Sequence, residues 1–181
     1  MNGLGGCLDA LAAMALLVAW WRTDRNGERD WRWLVPAGIL LLIGLQHVLQ
    51  FDAVTQDRLR ALARAQGAYD GRRQWQVPVV LGTVFLAGAM LFRINGMLRE
   101  TPPLRRTMVV VLGYAAFDFI RWVSLHQVDT VLYRKIGPLH VNHLLEAGLI
   151  ALSVGAAVPA IRGKAVTLRR REPGRKYRQR R

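Results

Sequence analysis

Five apolar runs, each long enough to cross a hydrocarbon core of about 30 Å, predict an all-α integral membrane protein. The expected architecture is a bundle of five transmembrane helices with one short interfacial helix in the second loop. Two further observations point the same way. Trp20, Trp21, Trp31 and Trp33 stand at the ends of the first two runs, at the headgroup level that amphipathic rings favour. About half of the 181 residues are apolar, enough for one membrane domain but not for a folded soluble domain as well.

The first span is Leu4 to Trp21, apolar except for Asp9. It has no basic n-region, and Trp20-Trp21-Arg22 is a poor cleavage site, so a signal peptide is not expected. A loop of mixed charge runs from Arg22 to Arg32. Trp33 to Phe51 is the second span, with Pro36 in its first turn, where a missing N–H does no harm. Near its end, Gln46, His47 and Gln50 share a helix face within about 100° of arc.

The longest connection runs from Phe51 to Gln76. Within it, Val54 to Ala65 sets Val54, Leu59 and Leu62 against Asp57, Arg58, Arg60 and Arg64, the pattern of a helix lying on a membrane surface. Gly67 and Gly71 are expected to break it. Val77 to Leu98 is the third span, and its glycines and alanines permit close helix packing. Pro102-Pro103 is expected to stop a helix before the fourth span, Thr107 to Leu125. Pro138 opens the fifth, which runs to about Ile161. The segment from Arg162 carries ten Lys or Arg and one acid, with little to bury, so a disordered or surface-adsorbed tail is expected. The chain thus divides into a 1–161 transmembrane domain and a 162–181 basic tail.

Lys and Arg outnumber Asp and Glu by 26 to 12, and only Lys135, Lys164 and Lys176 are lysines. Eighteen of the basic residues flank one side of a five-span arrangement and seven the other, so the positive-inside rule puts the N-terminus outside and the C-terminus in the cytoplasm. The Arg- and Ala-rich composition and the lack of sorting signals suggest a bacterial cytoplasmic (inner) membrane, with membrane lipids and other membrane subunits as partners. Cys7 is the only cysteine, which excludes an intramolecular disulfide and a Cys-based zinc or iron–sulfur site within one chain. No phosphate loop, dinucleotide fingerprint, kinase set or nucleic-acid module is present, and no specific nucleic-acid binding is expected.

The informative stretch is Asp118 to Asp129, at the end of the fourth span. On a helix, Asp118, Arg121, His126 and Asp129 fall within an arc of about 140°. Intramembrane charge of this kind is costly and generally functional. With alternating spans, Asp9, Gln46, His47, Arg72, Arg73, Gln76, Asn142, His143 and Glu146 reach the same outer half. A polar pocket there is the expected site.

Three chemistries fit its residues. Arg72, Arg73, Gln76, Asp118, Arg121, Ser124 and Asn142 are expected to bind an anionic lipid-like or quinone-like ligand, since guanidinium groups take phosphate or carboxylate with two parallel bonds. His126, Asp129, His143 and Glu146 offer ligand types for a zinc-dependent membrane hydrolase. His47 with His126 or His143 offers axial ligands for haem b. Set against all three is a network that only fixes helix register, in which Asp118 and Arg121 neutralise each other as i, i+3 neighbours. The predicted topology has a direct test. A cysteine replacing Asp70 should react with an impermeant thiol reagent from outside intact cells, and one replacing Arg175 should not. The reverse labelling overturns the orientation.

Overall fold

The computed structural model describes residues 2–25, 28–65, 67, 72–123, 132, 134–136 and 139–162. Ser124, His126, Asp129 and the 163–181 tail lie outside the described residues. Six helices are described: α1 (Asn2–Arg22), α2 (Leu34–Leu49), α3 (Phe51–Ala65), α4 (Arg72–Met97), α5 (Pro102–Val123) and α6 (Val141–Ile161). Two-residue antiparallel ladders lie in the loops. β1 (Asp24–Arg25) pairs with β2 (Glu28–Arg29), and β3 (Lys135–Ile136) with β4 (Leu139–His140). A 3-10 turn, Trp31–Trp33, leads into α2, and Asp30 Oδ1 caps it by accepting from the Arg32 N–H at 3.2 Å.

Gly5–Arg22, Trp31–Leu49, Gln76–Met97 and Val141–Ile161 are each long and apolar enough to cross a membrane. The outer surface agrees: Phe85 and Phe92 on α4 are 79% and 84% exposed, among many other apolar side chains facing outward. So large an apolar surface is unsuited to water and suited to lipid. The chain is a multi-pass helical membrane protein. α3 is the amphipathic helix expected in the second loop and begins three residues earlier, at Phe51. Gln50, left-handed at φ 49°, ends α2 and turns the chain straight into it.

Several boundaries differ from the sequence-based expectation. Pro102 and Pro103 do not precede a break followed by apolar helix; they are the first two residues of α5. The first turn has no intrahelical use for its N–H groups, so prolines cost little there. α5 thereby takes in Arg105 and Arg106 as well as Asp118 and Arg121. α4 starts at Arg72, five residues before the apolar run, because the polar stretch ahead of it continues the same helix. α6 starts at Val141, since Leu139 and His140 are taken by β4.

Four helices bury one stripe each at three- and four-residue spacing, the mark of a helix with one packed face. In α1 the stripe is Asp9, Ala12, Ala13, Leu16 and Ala19; in α6 it is Asn142, Glu146, Ile150, Ser153, Ala157 and Ala160. α2 and α5 contribute Leu40, Ile43, His47 and Leu104, Val111, Tyr114, Asp118 respectively. α1 packs on α2 and α6, α5 packs on α6 and α2, and α4 packs mainly on α5.

Contacts fix the directions. The N-terminal ends of α1 and α6 meet near Gly5 and Glu146, and at their other ends Arg22 Nη1 donates to the Ile161 carbonyl at 3.2 Å. α1 and α6 are therefore parallel. α2 and α5 run the opposite way, bringing their C-terminal turns to the end where α1, α4 and α6 begin.

α1 and α2 approach backbone to backbone at Gly6 and Gly44. A Cβ on Gly6 would stand 2.5 Å from Val48 Cγ2 and 2.9 Å from the Gly44 carbonyl oxygen, and one on Gly44 would stand 2.9 Å from Asp9 Cβ. Gly6→Ala should lower stability by about 1–3 kcal/mol, the usual cost of overpacking, read as thermal unfolding of detergent-purified protein. Gly82→Ala, where a Cβ meets nothing within 4 Å, should not lower it.

Candidate functional site

The polar residues of four helices converge at the end just described. Asp9 comes from α1, Gln46 and His47 from α2, Tyr114, Asp118 and Arg121 from α5, and Glu146 from α6. Helix periodicity makes this possible on α5. Tyr114, Asp118 and Arg121 are related by i, i+4 and i+7, so they share a face and can point inward while the opposite face meets lipid. His47 lies in the last turns of α2 and Glu146 about one and a half turns into α6. The cluster therefore lies between about 3 and 14 Å from the helix ends, on one side of mid-bundle.

His47 is at its centre. Its Nδ1 is 2.9 Å from Asp9 Oδ2. Its Nε2 is 2.8 Å from Arg121 Nη2 and 3.3 Å from Asp118 Oδ1. A guanidinium N–H can only donate, so at the shorter contact Nε2 is the acceptor and the ring proton is on Nδ1, donated to Asp9. Asp9 also accepts from the Tyr114 hydroxyl, 3.0 Å from Oδ1. Arg121 donates to Asp118 Oδ1 at 2.8 Å through Nη2 and to Glu146 Oε2 at 3.3 Å through Nη1. Gln46 Nε2 donates to the other Asp118 oxygen at 3.1 Å.

The cluster is buried, and among the described residues its carboxylates outnumber its cations. Asp9, Asp118 and Glu146 are 0%, 5% and 8% exposed; Arg121 bridges Asp118 and Glu146, whereas Asp9 is held by His47 and Tyr114. Glu146 Oε1 is the least satisfied oxygen. It stands 3.5 Å from both the Tyr114 hydroxyl and His47 Nδ1, and each of those groups directs its one hydrogen to Asp9 over a shorter distance. Asp9, His47 and Glu146 each offer one ligand atom, and the three atoms lie within 4.8 Å of one another.

The residues expected to bind a ligand divide into separate groups. Asp118 and Arg121 enter the cluster. Gln76 Nε2 donates to the Val123 carbonyl at 3.1 Å, linking the start of α4 to the end of α5. Asn142 Oδ1 accepts from the His143 N–H at 2.9 Å in the first turn of α6. Arg72 and Arg73 form the first turn of α4, and their side chains, like Ser124, lie outside the described residues. Of the expected metal set, Glu146 joins the cluster and His126 and Asp129 lie outside the described residues. His143 sits edge-on to His140, ring centroids 5.5 Å apart. For haem, both ring nitrogens of His47 are already engaged inside the cluster.

Asp9 is expected from the sequence in the outer polar pocket but not as a ligand-binding or metal residue, and Tyr114 is not expected there at all. Asp9 carries a signal, as the lone charge in the first apolar run. Tyr114 carries none, since a tyrosine is unremarkable in a membrane helix. No protein-family model, curated protein or solved structure matches this chain.

Arg121 is the residue whose loss should cost most. Arg121→Gln leaves buried carboxylates without their cation and should destabilise the protein by about 3–5 kcal/mol, measured by thermal unfolding in detergent. Adding Asp118→Asn to that variant should recover part of the loss, because the new amide no longer needs the guanidinium. A double variant as damaged as the single one would show that Arg121 does more than neutralise Asp118.

Proposed function

We propose that this is a five-pass membrane protein whose activity resides in a cation-binding centre reached from one face of the bilayer. The observation that carries the reading is the charge balance among the described residues: three buried carboxylates around one imidazole, with one guanidinium bridging two of them. Uncompensated buried charge is expensive, so such a site favours uptake of positive charge. The same excess works against the anionic lipid-like ligand suggested by Arg72, Arg73 and Arg121, because Arg121 is committed to two carboxylates and the third adds repulsion.

α5 is the fifth crossing in this reading. Its intramembrane charges point into the bundle, where they have partners, so they do not oppose insertion as lipid-facing charges would. With the topology given by the basic residues, the centre faces outward, the 162–181 tail faces anionic lipid on the cytoplasmic side, and the membrane is a bacterial inner membrane.

A binding centre fits better than a conduction path. Beyond the cluster the bundle is filled by Leu16, Trp33, Leu40, Leu104 and Val111, all at most 2% exposed. Two hydroxyls there are satisfied within their own helix, Thr107 by donating to the Pro103 carbonyl and Ser153 to that of Ile150, while Thr101 Oγ1 is buried with no partner among the described residues. That half offers an ion no continuous polar route among the described residues.

Glu146→Gln tests the charge argument. In chelator-treated protein, it removes one carboxylate from a site with too many, and the unfolding temperature should rise or stay level. A fall as large as that of Arg121→Gln would mean the network needs the charge of Glu146, and would overturn the reading. Proteoliposomes should leak cations no faster than empty vesicles.

A further inference from the structure

We propose that the cation is a divalent transition-metal ion, zinc-like in its preferences, held by His47 Nδ1, Asp9 Oδ2 and Glu146 Oε1. The inference rests on the cation-binding reading above and names its ligand class and its atoms. The donors are one neutral nitrogen and two carboxylates from three different helices, a set suited to zinc and its neighbours. Ligand atoms around a four-coordinate zinc stand about 3.3–3.6 Å apart, given bonds of about 2.0–2.2 Å. Here Nδ1 is 2.9 Å from Asp9 Oδ2 and 3.5 Å from Glu146 Oε1, so small rotations of the carboxylates suffice.

Three further observations favour a metal. Glu146 Oε1 has only long contacts in a buried site, 3.5 Å to the Tyr114 hydroxyl and 3.5 Å to His47 Nδ1. Gly5 faces the same atoms: a Cβ there would stand 2.8 Å from Glu146 Oε1 and 3.7 Å from His47 Nδ1, so a side chain at that position would crowd two of the ligand atoms. Lastly, Asp118 Oδ1 is 3.3 Å from the far nitrogen of His47. A metal-ligating histidine usually donates its other N–H to a carboxylate, which fixes the ring and raises its basicity.

Metal binding entails one rearrangement. Nδ1 gives up its proton, Nε2 takes one and donates it to Asp118, and Arg121 Nη2 leaves Nε2. Arg121 keeps acceptors in place, since it already donates to Asp118 and Glu146. Its positive charge remains beside the site and offsets the carboxylate that the metal does not neutralise. Tyr114, 3.0 Å from Asp9 Oδ1, holds that carboxylate in position through its non-ligating oxygen.

The test is equilibrium dialysis of the full detergent-purified chain, stripped with chelator, against Zn2+ and against Co2+ as a spectroscopic probe. One ion per chain is expected, with the visible bands of low-coordinate Co2+. Glu146→Gln should abolish stoichiometric binding. Asp118→Asn, which leaves all three ligands in place, should weaken it about 10–100-fold, as loss of an outer carboxylate does. Gly5→Ala should weaken it too, by displacing Glu146 Oε1. Gel filtration establishes that each variant is folded, and Asp30→Asn, remote from the site, serves as the unaffected control.

Failure of folded wild-type protein to bind either ion overturns the metal, as does binding unchanged in Glu146→Gln. The metal proposal and the broader reading fail separately. If no metal binds and chelated Glu146→Gln is at least as stable as wild type, only the metal falls. If no metal binds and that variant is as damaged as Arg121→Gln, both fall.

Discussion

Arg121 is the constraint on which the polar end of this bundle depends. One guanidinium reaches Asp118 on its own helix, Glu146 on α6 and His47 on α2. A group with five donors in a planar fork can do this, and a lysine ammonium, a point charge on a flexible stem, could not hold the same geometry. Because the three acceptors belong to three helices, Arg121 fixes the rotation of α5 about its axis. Rotating α5 by one residue, about 100°, would turn Arg121 and Asp118 towards lipid and strand Glu146 without a cation.

The two ends of the bundle are stabilised by different means. At the far end, Leu16, Leu40, Leu104 and Val111 interdigitate with Trp33 and the small side chains of α1 and α6. In lipid this packing gains little from the hydrophobic effect and depends on close contact, for which alanines at Ala12, Ala13, Ala157 and Ala160 are suited. At the polar end, Gly6 and Gly44 let α1 and α2 approach until Asp9 reaches His47. The close backbone crossing and the polar contact are therefore one feature. A wider crossing would leave Asp9, fully buried, without its imidazole partner.

Much of this was legible in the sequence, for physical reasons. Apolar runs of membrane length identify α1, α2, α4 and α6. Alternating helix direction carries the polar residues of several spans to one end, and Asp118 and Arg121 mark the inward face of α5. The exact contacts were not legible. Periodicity gives the face of a helix, not its neighbour, so nothing in the sequence pairs Asp9 with His47 or Tyr114 across gaps of 38 and 105 residues. The sequence also does not tell which backbone groups Gln76 and Asn142 contact, the Val123 carbonyl and the His143 N–H respectively. Pro102-Pro103 was ambiguous too: proline disrupts a helix interior and is tolerated in a first turn, and position alone decides between them.

A structural explanation of the cluster has to account for its composition as well as its position. If register were the whole purpose, Asp118 with Arg121 would serve at balanced charge, and apolar residues of similar volume would often be as stable or more so. Glu146 and Asp9 add two further buried carboxylates to a site already neutral with that pair. His47, placed between them with a nitrogen towards each side, adds a group that can bind a proton or a metal without bringing a fixed charge. Register alone explains the presence of a polar contact, but it does not explain an excess of one sign gathered around an imidazole. That excess is what the proposed cation site requires, and its position towards one end of the bundle, backed by an apolar half, would give a cation one side from which to enter.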